Sequence, residues 1–155
     1  MTESVEARLK EMGLTLPAAP QAVANYVPFL ISGDQLFISG QVSKGGDGRV
    51  VTGVLGAGLD VAAGQEAARL CALNILAQAK AALGDLARVI QILRLTGFVA
   101  SAPGFTDQPQ VINGASDLMG AALGDRGKHT RSAVGVASLP LGAAVEIDAI
   151  LRVRV

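Results

Sequence analysis

The chain has 155 residues, enough for one domain with its own core, since a chain of this length buries roughly two-thirds of its unfolded surface. Half of the residues are hydrophobic, 17% are charged and mean hydropathy is +0.45, which argues against disorder or a fibrous repeat and predicts subunit association to cover surplus apolar surface. Thirteen basic residues balance thirteen acidic ones, and with four Phe, one Tyr and no Trp the chain has neither the positive field nor the stacking rings that nucleic-acid binding uses.

Residues 2–12 place Val5, Leu9 and Met12 at helical spacings, with Thr2 as N-cap and Gly13 as a stop. MTESVEARLKEMG mixes acids with bases and has no apolar run of the signal-peptide kind, and the apolar stretches elsewhere are broken by Pro or charge. The expectation is a cytoplasmic protein with no membrane partner. The segment TLPAAPQAVANY, with two prolines, is expected to be extended. FLISGD and LFISGQV, separated by Gly33-Asp34, read as a hairpin. Gly45, Gly46 and Gly48 mark a turn, and RVVTGVL is expected to add a short strand.

A helix follows over about 60–83, where Ala68, Cys71, Ala72, Ile75, Ala79 and Ala82 recur every three or four residues and Gly84 supplies the stop. Gly56-Ala57-Gly58 ahead of it is read as a turn, because Val61 stands where a dinucleotide loop needs its third glycine. Cys71 is the only cysteine, so no intrachain disulfide or multi-Cys metal site is available, and its apolar flanks read as a buried thiol. VIQILRLTGFV (89–99) is a central strand, SAPGFTDQP a loop, and a helix is expected over about 109–123. RSAVGVASL and AVEIDAILRVRV flank Pro140-Leu141-Gly142 and are predicted to form a closing hairpin, with Val145, Ile147, Ala149, Leu151 and Val153 facing one way.

These elements give an α+β class, one sheet backed by two main helices with an extra N-terminal helix. The division is an N-terminal helix and lead-in over 1–16 and a single domain over 17–155. In the predicted hairpin, Arg131, Ala133 and Gly135 share a face with Glu146 and Asp148. That pattern leaves two readings open. Arg131 binds a small carboxylate through paired, charge-assisted hydrogen bonds, or it joins the acids in an ion-pair network. His129, two residues before Arg131, reads as a hydrogen-bonded strand-edge histidine, and Lys128, His129 and Arg131 are too few for a nucleic-acid patch.

HTRSAVGVASLPLGAAVEIDAI resembles the C-terminal signature of the RidA/YjgF family, and ANYVPFLISGDQLFISGQV is similar to its N-terminal pattern of a Tyr followed by a hairpin ending in Ser-Gly-Gln. The resemblance runs from about Pro17 to Leu151 and implies the chorismate-mutase-like fold, assembled as a trimeric barrel with clefts between subunits. It implies hydrolysis of 2-imino acids to 2-keto acids and ammonia, without cofactor or metal. Arg131 would hold the substrate carboxylate, with Gly40 after Ser39 offering a backbone N–H. Glu146 would position or activate water, and Tyr26 and Asn113 would line the cleft. Ala133 occupies the place of a Cys found in many active members, so its contact would be through backbone atoms. Two alternatives accompany this reading, a non-catalytic module binding small carboxylates and an endoribonuclease, the latter disfavoured by the neutral charge. Chorismate mutase activity shares only the fold name.

Overall fold

The computed structural model describes residues 3–22 and 24–155. Helix α1, Val5–Glu11, is capped by Ser4, whose Oγ accepts a 3.1 Å bond from the Ala7 N–H. The expected Thr2 cap lies outside the described residues. Val5 and Leu9 enter the core, and Glu6 meets Lys80 of helix α2, Val61–Leu83, at 2.9 Å. Asp60 caps α2 by accepting from the Ala63 N–H at 2.9 Å, and Gly84, at φ 79°, ends it. Its small-residue arc (Ala68, Cys71, Ala72, Ala79) is fully buried, as expected. That arc lets the helix axis lie close to the sheet. Helix α3, Gln108–Leu123, packs beside α2 with Gly114 directly against the backbone of Gln65.

Strands β1, Phe29–Ser32, and β2, Gln35–Val42, form the expected antiparallel hairpin around Gly33-Asp34. The expected strand in RVVTGVL is reduced. Val50 and Thr52 make isolated bridges, and β3, Val54–Leu55, pairs in parallel with β4, Gly58–Leu59, across the Gly56-Ala57 turn. The main sheet is completed by β5, Val89–Ala100, β6, Thr130–Val136, and β7, Val145–Val153, in the order β1-β2-β7-β5-β6.

The closing hairpin does not form. β5 lies between β6 and β7, parallel to the first and antiparallel to the second, with Leu95 opposite both Arg131 and Ala149. The physical reason is the helix between β5 and β6: a strand, a crossover helix and a strand close in parallel, whereas a hairpin would leave the long β5 without its second partner. The expected common face for Arg131 and the acids therefore fails as well. Arg131, Ala133 and Gly135 point towards α3, while Glu146 and Asp148 stand on the opposite, open face.

The helix side holds the core, and β7 alternates as expected, with Val145, Ile147, Ala149, Leu151 and Val153 all buried. The open face carries Phe37, Val134 and Ile150 among Arg94, Glu146 and Asp148. Among the described residues no helix is long and apolar enough to cross a membrane.

At Gly114 a Cβ would overlap the carbonyl of Gln65. Gly114→Ala should therefore lower the urea midpoint by an amount matching about 1–3 kcal/mol of overpacking, despite the better helix propensity of Ala. An unchanged midpoint would mean that the two helices are free to separate.

Candidate active site

Arg131 sits at the head of the edge strand β6, half-buried, with its guanidinium turned to α3. Its Nη1 donates to Asn113 Oδ1 at 2.8 Å and to Ser116 Oγ at 3.2 Å. Asn113 and Ser116 are one helical turn apart, so both reach the same spot. The Ser116 hydroxyl also shares a 2.9 Å bond with His129 Nε2, and His129 Nδ1 donates to the Gly127 carbonyl at 2.6 Å. In a neutral ring this places the proton on Nδ1 and leaves Nε2 to accept from Ser116. Arg131 makes no ion pair among the described residues. The neutral groups around it fix its direction and leave its charge available, and Ser116, Gly120, Lys128 and His129 surround an open cleft beside it.

A second group lies across the sheet. Between Ile38 and Gln41 the β2–β7 register slips, a bulge that takes Ser39 and Gly40 out of step with β7. Bulges of this kind re-aim backbone groups beside sites. Ser39 is held by its Oγ, which donates to Val27 O at 2.8 Å. A Cβ on Gly40 would come within 2.9 Å of Glu146 Cδ, so only glycine lets the carboxylate lie against this backbone. Tyr26, Ser39, Gly40 and Glu146 line one continuous cleft.

Burial, and then the neighbouring Asp148 carboxylate, push the Glu146 carboxyl above its ordinary range. Asp148 is also raised by burial, opposed by a hydrogen bond from Thr96 and by the charge of Arg94. Cys71 is fully buried, its Sγ donates weakly to Val145 O at 3.5 Å, and burial pushes the thiol up, with Glu146 adding to the effect. The thiol is therefore held in its inert form.

Arg131 and Asn113 are thus brought together, and so are Tyr26, Ser39, Gly40 and Glu146, but the two groups lie on opposite sides of the sheet within one chain. Ala133 belongs beside Arg131 on the helix side, packed against the core. Sequence reasoning did not find Ser116, whose signal was its three-residue spacing from Asn113, and it left His129 at the strand edge. It also missed Asn74 and Gln78, polar residues set into the apolar arc of α2. Among the described residues no cluster of His, Cys, Asp and Glu is arranged to hold a metal ion.

Residues 6–149 match the model of the family described as "YjgF/chorismate mutase-like, putative endoribonuclease". The chain belongs to the YjgF/RidA family. Within this family, protein TCP17 of Trypanosoma cruzi is 51% identical over 151 residues, covering 97% of this chain and 94% of that protein. The crystal structure of Atu1372 from Agrobacterium tumefaciens is 56% identical, with a TM-score of 0.91 over 97% of this chain and 94% of that one. A more distant structure, E. coli TdcF with bound serine, is 28% identical with a TM-score of 0.64, covering 88% of this chain and 94% of that one. The family match begins inside α1, and the mixed sheet with its helices fits the chorismate-mutase-like fold expected from the C-terminal signature.

The raised Glu146 carboxyl gives a signed expectation. A carboxyl whose folded pKa lies above its unfolded one contributes most below the unfolded value and loses that contribution as pH rises through the folded one. Glu146→Gln, which cannot ionise, should therefore gain stability over the parent as pH is raised from about 4 to about 8 in urea unfolding. A pH-independent difference would show that Glu146 is not desolvated in the folded protein.

Proposed function

We propose that this protein hydrolyses reactive 2-imino acids to 2-keto acids and ammonia in clefts completed by two copies of the chain. The observation that carries the reading is Arg131, a half-buried guanidinium oriented by Asn113 and Ser116 with no acidic partner among the described residues. A planar cation presented in this way matches a substrate carboxylate through two parallel hydrogen bonds. The serine bound by the relative TdcF is a small carboxylate, which supports the same ligand class here.

In the proposed reaction the Arg131 guanidinium holds the carboxylate, and the Ser39–Gly40 bulge lies beside the imine. Water adds through its oxygen to the imine carbon while Glu146 takes its proton. That proton passes to the nitrogen to give a tetrahedral amino alcohol, whose hydroxyl proton then follows to the nitrogen by way of Glu146 as the carbon–nitrogen bond breaks, the carbonyl forms and ammonia leaves. A carboxyl raised towards neutrality suits this exchange, and a positioned acid/base group typically contributes about 10²–10⁴-fold. No cofactor enters the scheme. Because Arg131 and Glu146 occupy opposite sides of the sheet, a single chain does not bring them to one substrate. A ring of subunits, proposed as a trimer, would set the β6 edge of one against the Tyr26–Gly40 cleft of the next and cover the apolar open face.

The second reading, a non-catalytic module that binds small carboxylates in the same clefts, is favoured by Ala133, which removes the thiol that many active members carry. Endoribonuclease activity has less support, since the chain has no net positive charge.

Imines generated in situ by an amino-acid oxidase, with ammonia and keto acid followed directly, test the proposal. Arg131→Ala should keep the parent's melting behaviour and lose at least about 100-fold in kcat/KM, and Glu146→Gln should lose about 10²–10⁴-fold mainly in kcat. Carboxylate binding without turnover in the parent would favour the second reading, and full activity in Arg131→Ala would end the first.

A further inference from the structure

The hydroxyl that orients Arg131 needs orienting itself. Arg131 Nη1 spends its N–H groups on Asn113 Oδ1 and Ser116 Oγ, so the Nε–Nη2 edge is the fork left for a carboxylate. Asn113 offers a fixed carbonyl, but a serine hydroxyl rotates and can turn either its proton or its lone pairs to a neighbour. A proton aimed at a guanidinium N–H is repulsive. What sets the Ser116 rotor is the group on its other side. His129 Nε2 lies 2.9 Å from Ser116 Oγ, and His129 Nδ1 lies 2.6 Å from the Gly127 carbonyl, which can only accept. In the neutral ring Nδ1 therefore carries the proton, Nε2 takes the hydroxyl proton of Ser116, and the serine lone pairs are left to Arg131.

The support beneath the ring is itself fixed on two sides. Gly127 closes the turn Gly124–Gly127, and a Cβ there would overlap the Met119 carbonyl, so the turn lies directly on α3. From β5, Gln91 Nε2 donates to the Asp125 carbonyl at 3.1 Å and to the Lys128 carbonyl, and the Val89 carbonyl accepts from Arg126 Nη1 at 2.8 Å. The Gly127 carbonyl is thereby held between helix and sheet, one residue away from the strand that carries His129 and Arg131. His129 is only half-buried, so water could have satisfied its ring. Instead both nitrogens are committed to protein groups, and one of those groups touches the anchor.

We propose that His129 is a positioning residue of the carboxylate anchor, acting on Arg131 through Ser116. The Gly127 carbonyl sets the tautomer, the tautomer sets the serine rotor, and the rotor holds the guanidinium at the angle where its free edge meets a carboxylate in parallel. This rests on the carboxylate reading of Arg131 and adds to it a residue that does not touch the ligand. A side chain at 129 that accepts from Ser116 keeps the anchor aimed. One that cannot accept leaves the hydroxyl proton free to turn towards Arg131.

Calorimetry with pyruvate, a stable 2-keto acid, reads the anchor of the full chain without turnover. Ser116→Ala and His129→Leu should each weaken binding about three- to tenfold, the effect of losing one ordinary hydrogen bond. Because both act through one hydroxyl, the double variant should bind no more weakly than Ser116→Ala alone, whereas independent effects would multiply. His129→Gln, whose Oε1 accepts from Ser116, should bind within about twofold of the parent. General loosening at the head of β6 would produce neither result. His129→Asn, which serves Gly127 but is too short to reach Ser116, replaces His129→Leu with the same expectation if that variant fails to fold. Parent affinity in His129→Leu, multiplying losses in the double variant, or glutamine binding no better than leucine would overturn the proposal. Pyruvate held by Arg131→Ala as tightly as by the parent would remove the carboxylate anchor and the positioning role with it. A loss in Arg131→Ala beside unchanged binding in His129→Leu would remove the positioning role alone.

Discussion

The parallel pairing of β5 with β6, closed over by α3, decides on which side of the sheet the charged groups of the candidate site stand. With Leu95 opposite Arg131 on one side and Ala149 on the other, the register sends Arg131 towards the helices and Glu146 and Asp148 away from them. A guanidinium on the helix side would be costly to bury without partners, and Asn113 and Ser116 provide neutral ones. The same crossover puts β6 at the edge of the sheet, so the Arg131 cleft is open outward rather than enclosed in the core.

A second constraint acts on the group around Glu146. The bulge at Ser39-Gly40 and the absence of a side chain at Gly40 let the Glu146 carboxylate press against backbone, half out of water and near Asp148. These are the conditions that lift a carboxyl towards the range where it exchanges protons near neutrality. The open face around it mixes Phe37, Val134 and Ile150 with Arg94 and Asp148. A second copy of the chain is the natural cover for a patterned face of this kind, and covering it would desolvate Glu146 further.

Much of the architecture was legible in the residues. Helix α2 announced itself through its alanine arc and Gly84, the first hairpin through Gly33-Asp34, and β7 through strict alternation. What failed was long-range pairing. Pro140-Leu141-Gly142 looks like a hairpin turn because turn chemistry is local, whereas the choice of β5 as the neighbour of both last strands depends on the intervening helix and on strand length. The site was legible in a similar proportion. Arg131 with Asn113, and Glu146 with Gly40, were named from family resemblance and do lie together in pairs. Their separation onto two sides of one sheet was not legible, because the expected closing hairpin does not form and β5 stands between β6 and β7. Ser116, which meets Arg131 and His129, and Gln78, which donates to Pro20 O, carry no motif and become visible only once α3 lies against β6 and α2 against the segment around Pro20.

The central claim is that two copies of the chain each supply half of one hydrolytic site. Co-refolding equal amounts of Arg131→Ala and Glu146→Gln, each inactive alone, tests it directly. In randomly mixed rings about a quarter of the clefts would pair an intact Arg131 with an intact Glu146, so ammonia release from an imine should return to about a quarter of the parent rate. A mixture as inactive as either variant, with mixed oligomers shown to form, would contradict the account.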